Sequence, residues 1–169
     1  MHDTARLAGF FAAHGIWSVS DGATLIPLLG YEHLNGERGM DRFVMADIGD
    51  GANAGLEALR GNAQGAARAV LVVDGYVHLR SGKTDSIIVE AVEYGAAAED
   101  GASAPSIKMA IPYRPLDSPQ GFAVHRPKFL EVTGVDSADY ASLGQAFYEG
   151  VDSHQAASQV WNAHYDDFS

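Results

Sequence analysis

The sequence predicts a single α+β domain, built on a largely antiparallel or mixed sheet of five to seven strands with an N-terminal helix, one middle helix and two C-terminal helices. Three observations lead to this class. Ala69–Tyr94 is the densest run of strand-forming residues and reads as two strands joined by a tight turn. Strand-like runs follow one another through the second half of the middle region instead of alternating with helices. Amphipathic helical spacing appears near the start, once in the middle and at the end. The 169 residues match the size of one domain, and no internal repeat or linker divides residues 1–169.

Asp3 or Thr4 suits the N-cap of the first helix. Leu7, Phe10, Phe11 and His14 then share one helical face, and Gly15 is expected to stop the helix. Ile16–Ser20 reads as a short strand, followed by a turn at Asp21-Gly22. Leu25–Tyr31 is apolar but contains Pro27, which suits an edge strand. Asn35-Gly36 signals a hairpin, with the return strand near Gly39–Ala46. A helix over Ala52–Gln64 places Leu56, Leu59 and Ala63 on one face, with Asp50 as its expected N-cap.

In the central hairpin, Gly82-Lys83 suits a two-residue type II′ turn. That register sets Arg80 opposite Asp85, His78 opposite Ile87 and Tyr76 opposite Val89. Both faces of the hairpin carry apolar residues, so something should cover each. Ala96–Ala104 reads as a mobile loop. Ile107, Met109, Ile111 and Tyr113 alternate as a half-buried strand does. Arg114–Gln120 is a loop, and Gly121–Val132 is a strand interrupted at Pro127. From Asp136 the pattern turns helical through Tyr140, Leu143, Phe147 and Val151. A break near Gly150–Asp152 precedes a last helix carrying Val160, Trp161, His164 and Tyr165. The helices are expected to pack on one face of the sheet, the N-terminal helix and the two C-terminal helices among them.

Composition limits function. Apolar residues make up 47% and charged residues 20%, as in ordinary globular domains. The net charge of −11 argues against non-specific binding to nucleic acid or anionic lipid, which Lys and Arg lead. With no cysteine there is neither a disulfide nor a thiolate metal site, which fits a cytoplasmic location. The opening MHDTARLAGFFAAHG lacks the basic start of a signal peptide, and no apolar run is long enough to span a membrane. The 19 glycines exceed average usage and point to turns or close backbone approaches.

Several strings resemble sites. Ser81-Gly82-Lys83-Thr84 looks like the tail of a phosphate-binding loop. Val77 stands where that motif needs its first glycine, and β-branched residues follow where a helix should open, so a hairpin turn is the better reading. Phe43–Asp74 reads strand, glycine turn, helix, strand, acid. Gly49, Gly51 and Gly55 follow Asp47, and Asp74 ends the unit. This string is similar to the glycine loop of S-adenosylmethionine-dependent methyltransferases and to dinucleotide-binding loops, over about a fifth of the chain. The resemblance implies a nucleotide at the helix N-terminus, with Asp74 accepting from ribose hydroxyls.

Arg114, His125, Arg126 and Lys128 gather basic groups in an acidic chain, as a small anionic metabolite would require. From Phe129 to Ser169 there is no Lys or Arg and there are seven acids, so the basic edge and the acidic tail should attract, within one chain or between chains. The seven histidines show no i, i+4 pair and no H-E-x-x-H, so no metal site is expected. His14 and His164 fall on apolar helical faces and suit packing roles, whereas His78 and His125 lie near strand edges beside Arg or Lys. No G-x-S-x-G elbow occurs, and no spacing pairs two carboxylates for acid–base work. Tyr140, Phe147, Tyr148, Trp161, Tyr165 and Phe168 are many aromatics for two short helices, and any surplus over the core would form an interface.

These features together lead to the expectation of a non-enzymatic cytosolic interaction module that self-associates or binds another protein. The alternatives are a small nucleotide- or S-adenosylmethionine-using enzyme at Gly49, Gly51, Gly55 and Asp74, or an anion binder at Arg114–Lys128. The cofactor and the catalytic residues stay unassigned at this level.

Overall fold

A computed structural model describes residues 1–95 and 104–168. Its elements are α1 (His2–Val19), β1 (Leu28–Glu32), β2 (Arg38–Arg42), α2 (Ile48–Arg60), β3 (Arg68–Leu79), β4 (Gly82–Glu93), β5 (Ser106–Arg114), β6 (Ala123–Val124), β7 (Lys128–Thr133), α3 (Tyr140–Ser153) and α4 (Gln155–His164). This is the expected α+β class, with a seven-stranded antiparallel sheet in the order β2-β1-β3-β4-β5-β6 and β7 also on β5. β6 pairs with Tyr113–Arg114 and β7 with Ser106–Ala110, so the two behave as one edge strand broken around Pro127.

The sheet is covered on both faces. Val70 and Val72 of β3, with Ile87, Val89 and Ala91 of β4, join a core under α1 that includes Phe147 of α3 and Trp161 of α4. Ala69 and Leu71, one residue out of phase, join Leu29, Leu59 and Val92 in a second core under α2. The single-face expectation is thus corrected. α2 takes the opposite face because Leu56 and Leu59 bring their own apolar stripe to it.

Local readings shift in five places, the first being that α1 opens at His2 with Met1 at its N-cap, ahead of Asp3 and Thr4. Ile16–Ser20 is not a strand, since α1 runs on to Val19 and buries Ile16 and Val19 in line with Ala5, Ala8 and Ala12. β1 starts after Pro27 and lies between β2 and β3, so it is an interior strand. α2 begins at Ile48, with Asp47 rather than Asp50 as N-cap; the Asp47 carboxylate accepts from the Gly49 N–H at 2.7 Å. The β3–β4 hairpin turns on Arg80-Ser81, with Leu79 opposite Gly82 and Tyr76 opposite Asp85. Gly82 has a φ of 115° and follows the loop instead of opening it. The turn lies two residues earlier than expected and each cross-strand partner shifts by four, so the faces are kept while the Arg80–Asp85 pairing is lost.

The C-terminal helices part at His154, slightly beyond the expected break. The expected loop at 96–104 lies outside the described residues except for Ala104. Among the described residues no helix is long and apolar enough to cross a membrane.

Candidate functional site

Of the residues singled out in the sequence, Asp74 stands in the most site-like surroundings. It lies midway along β3, on the face shared with Val72, opposite Ile87. Tyr113 of β5 is buried, and its hydroxyl donates to both carboxylate oxygens of Asp74, at 2.9 and 3.0 Å. Burial pushes the Asp74 carboxyl above the usual carboxylate range; the Tyr113 hydrogen bond opposes this and the nearby Asp85 adds to it. The Tyr113 hydroxyl is pushed up in turn, by burial and by the adjoining carboxylate. The pair opens into a cleft of about 480 Å³ lined by Val19, Ala23, Thr24, Pro115, Leu116 and Asp117.

The glycine string does not meet Asp74. A Cβ on Gly51 would sit 2.6 Å from the Phe43 carbonyl oxygen, and one on Gly55 would sit 2.5 Å from Leu71 Cδ1. Gly51 and Gly55 therefore let α2 lie close on the sheet, on the Leu71 face. Gly49 serves the Asp47 cap. Asp74 lies on the α1 face, so the sheet separates it from these glycines. β2 and β3 are parallel to each other but flank β1, so no βαβ crevice of adjacent strands is formed.

The basic edge is met by the chain's own tail. Arg114 Nη1 approaches Asp166 Oδ2 at 3.4 Å, and its guanidinium lies 5.5 Å from the Phe168 ring centre. Tyr165 bridges to Val124, and the Asp166 N–H donates to the Val124 carbonyl at 2.8 Å. His125 is fully buried where the edge strand breaks. Its Nδ1 accepts from the Phe168 N–H at 3.2 Å and lies 2.9 Å from Asp167 Oδ1. Burial lowers the His125 pKa, against the pull of Asp167. Arg126 is exposed and Lys128 half-buried, and neither forms an ion pair among the described residues. The attraction between edge and tail is thus met within one chain. His78 is exposed beside Tyr76, with ring centres 5.7 Å apart. His164 bonds to its own helix, its Nδ1–H donating to the Val160 carbonyl at 2.8 Å.

Sequence reading missed His154, which no local pattern marked. Its Nδ1 accepts from the Ala157 N–H at 3.2 Å and caps α4. The neutral ring then carries its proton on Nε2 and donates it to His14 Nδ1, also at 3.2 Å. His14 keeps its proton on Nε2, which is buried without a partner among the described residues. Burial lowers both pKa values, and for His14 the neighbouring His154 and Arg42 add to it. These histidines fold neutral but are protonated in the unfolded chain below their ordinary pKa. Their stabilising effect is present above that pKa and is lost as pH falls through the lowered folded values. Melting temperature should therefore fall between pH 7 and about pH 5. His154→Asn keeps a capping acceptor without a titrating ring, and should make that fall shallower by thermal melts across the range. An unchanged slope would remove His154 from the effect.

The open edge of the sheet has a different character. β2 pairs only with β1, so its outer N–H and C=O groups meet no strand among the described residues. Met40 on β2, Val44 and Met45 after it, and Ile48 in the first turn of α2 are all exposed, Val44 by 74%. Ile26 is exposed beside Pro27, whose carbonyl accepts from the Phe43 N–H at 2.9 Å. Among the described residues no group of three or more His, Asp or Glu is placed to hold a metal ion. Comparison with protein-family models, with curated proteins and with solved structures returned no match.

Proposed function

We propose that the protein is a non-enzymatic cytosolic interaction module that self-associates through the β2 edge. The observation that carries this reading is the set of exposed apolar side chains on and just beyond the open edge strand β2, Met40 on the strand, Val44 and Met45 after it and Ile48 at the start of α2. A second copy suits this surface for two reasons. A two-fold interface requires only that one patch meet itself, and an apolar patch does so without needing opposite charge. Residues 38–48 hold Arg38 and Arg42 against Asp41 and Asp47, so the net charge of −11 lies wholly outside the stretch and repels least there.

Light scattering over a concentration series tests the proposal. The wild type should give a concentration-dependent dimer. Met45→Asp should shift it to monomer, with a melting temperature changed only by the loss of association, since Met45 is exposed. A strict monomer at every concentration, or a dimer indifferent to Met45→Asp and Val44→Asp, would sink the idea.

A further inference from the structure

The cleft above Asp74 has a chemistry that self-association at β2 leaves unused. Its floor is one carboxylate, held in place by a buried phenol. Among the described residues no Lys, Arg or His side chain forms an ion pair with Asp74, and none lines the cleft. The Tyr113 hydroxyl has one proton, shared between the two oxygens, and the Gly75 backbone adds a further donor. An ionised carboxylate has about four acceptor sites, so capacity remains on the cleft side. The walls are Val19, Ala23, Pro115 and Leu116, which suit a compact apolar body, and Asp117 adds negative charge at the rim. A half-buried carboxylate without a counter-cation is unfavourable unless a ligand supplies one.

We propose that this cleft binds an organic cation, a primary or secondary amine on a compact apolar body, with its ammonium against Asp74. The ammonium N–H groups donate to the free carboxylate positions, and the hydrocarbon part displaces water from Val19, Pro115 and Leu116. An anion is disfavoured by Asp74, Asp117 and the nearby Asp85. The volume of about 480 Å³ admits a small molecule and not a folded partner. The phenol has a positioning role. It fixes the carboxylate in one orientation from β5, across β4.

Amide NMR titration tests this with cyclohexylamine, cyclohexanol and cyclohexanecarboxylate as probes. The amine should give saturable shifts at Ala23, Thr24 and Leu116, and the other two should not. Asp74→Asn keeps an acceptor for the Tyr113 hydroxyl and removes the charge. It should weaken amine binding by roughly tenfold or more, the loss of one charge-assisted hydrogen bond. Thr24→Lys, at an exposed rim position, should also abolish binding by tethering an ammonium over the carboxylate, and it leaves Asp74 itself intact. The spectra report folding of each variant directly. Saturable binding of cyclohexanol equal to that of the amine would overturn the proposal in favour of a hydroxyl or purely apolar site. Absence of saturable amine shifts, or full amine affinity in Asp74→Asn, would overturn it outright.

Discussion

Replacing Gly9 or Gly150 by alanine should destabilise the protein by about 3 kcal/mol, although both lie inside helices where alanine is normally the better residue. α1 and α3 cross at these two positions. A Cβ on Gly9 would stand 1.8 Å from the Phe147 carbonyl oxygen, and one on Gly150 would stand 1.9 Å from the Arg6 carbonyl oxygen. These are backbone atoms in regular helices, so no rotamer change relieves the clash and the helices must separate. Separation unpacks Phe147 and Val151 from α1. For a chain of this length the expected fall in melting temperature is roughly 6–12 °C. Gly144, also in α3, is the control, because its Cβ would meet only Phe129 Cε2, at 3.9 Å. Gly144→Ala should be neutral or stabilising by up to about 1 kcal/mol. Equal effects at Gly144 and Gly150, read from urea unfolding midpoints, would contradict the close crossing.

Trp161→Ala should cost about 3–5 kcal/mol. Trp161 is 1% exposed, and its ring lies edge-on to Phe147, with centres 6.3 Å apart. It is the main apolar anchor of α4, whose remaining buried side chain is Ala157. Losing the indole leaves a cavity between α4 and the α1–α3 pair that backbone packing cannot close. The tail beyond α4 depends on the same anchor, because Asp166 and Phe168 reach Val124 and His125 only from a docked helix. The substitution should therefore also expose the His125 region to amide exchange. Trp17, the other tryptophan, is 42% exposed, so the emission lost in the variant should be the blue-shifted part. A loss below about 1 kcal/mol would show that α4 lies outside the cooperative core.

Most of the fold was legible along the chain. The β3–β4 hairpin, the alternating β5 and the break at Pro127 carry period-two signals with breaker residues between them. The four helices carry apolar stripes. Boundaries were less legible where tertiary packing overrode a local signal. Gly15 reads as a stop, but it lies buried against Val72 and Ile87, where absence of a side chain is what α1 needs to pass the sheet. The hairpin register was missed because Arg80-Ser81 and Gly82-Lys83 both suit tight turns, and moving the turn by two residues shifts the pairing by an even number that leaves every side chain on its own face.

The candidate sites divide in the same way. Composition alone establishes an acidic chain without thiol chemistry, and charge order along the sequence places a basic edge before an acidic tail that could meet it. Pattern establishes strands, helices and their apolar faces, because burial imposes the period of each element on its own residues. Partners far apart in sequence are a different matter. The pairing of Asp74 with Tyr113, of His14 with His154 and of Gly9 with Phe147 spans 39 positions in the first case and 140 in the second. No local period encodes such contacts; they follow from which strands are neighbours and which helices cross. The tertiary structure thus decided that Gly51 and Gly55 let α2 pack on one face of the sheet and that Gly49 serves the Asp47 cap, while Asp74 stands on the other face at the floor of a cleft.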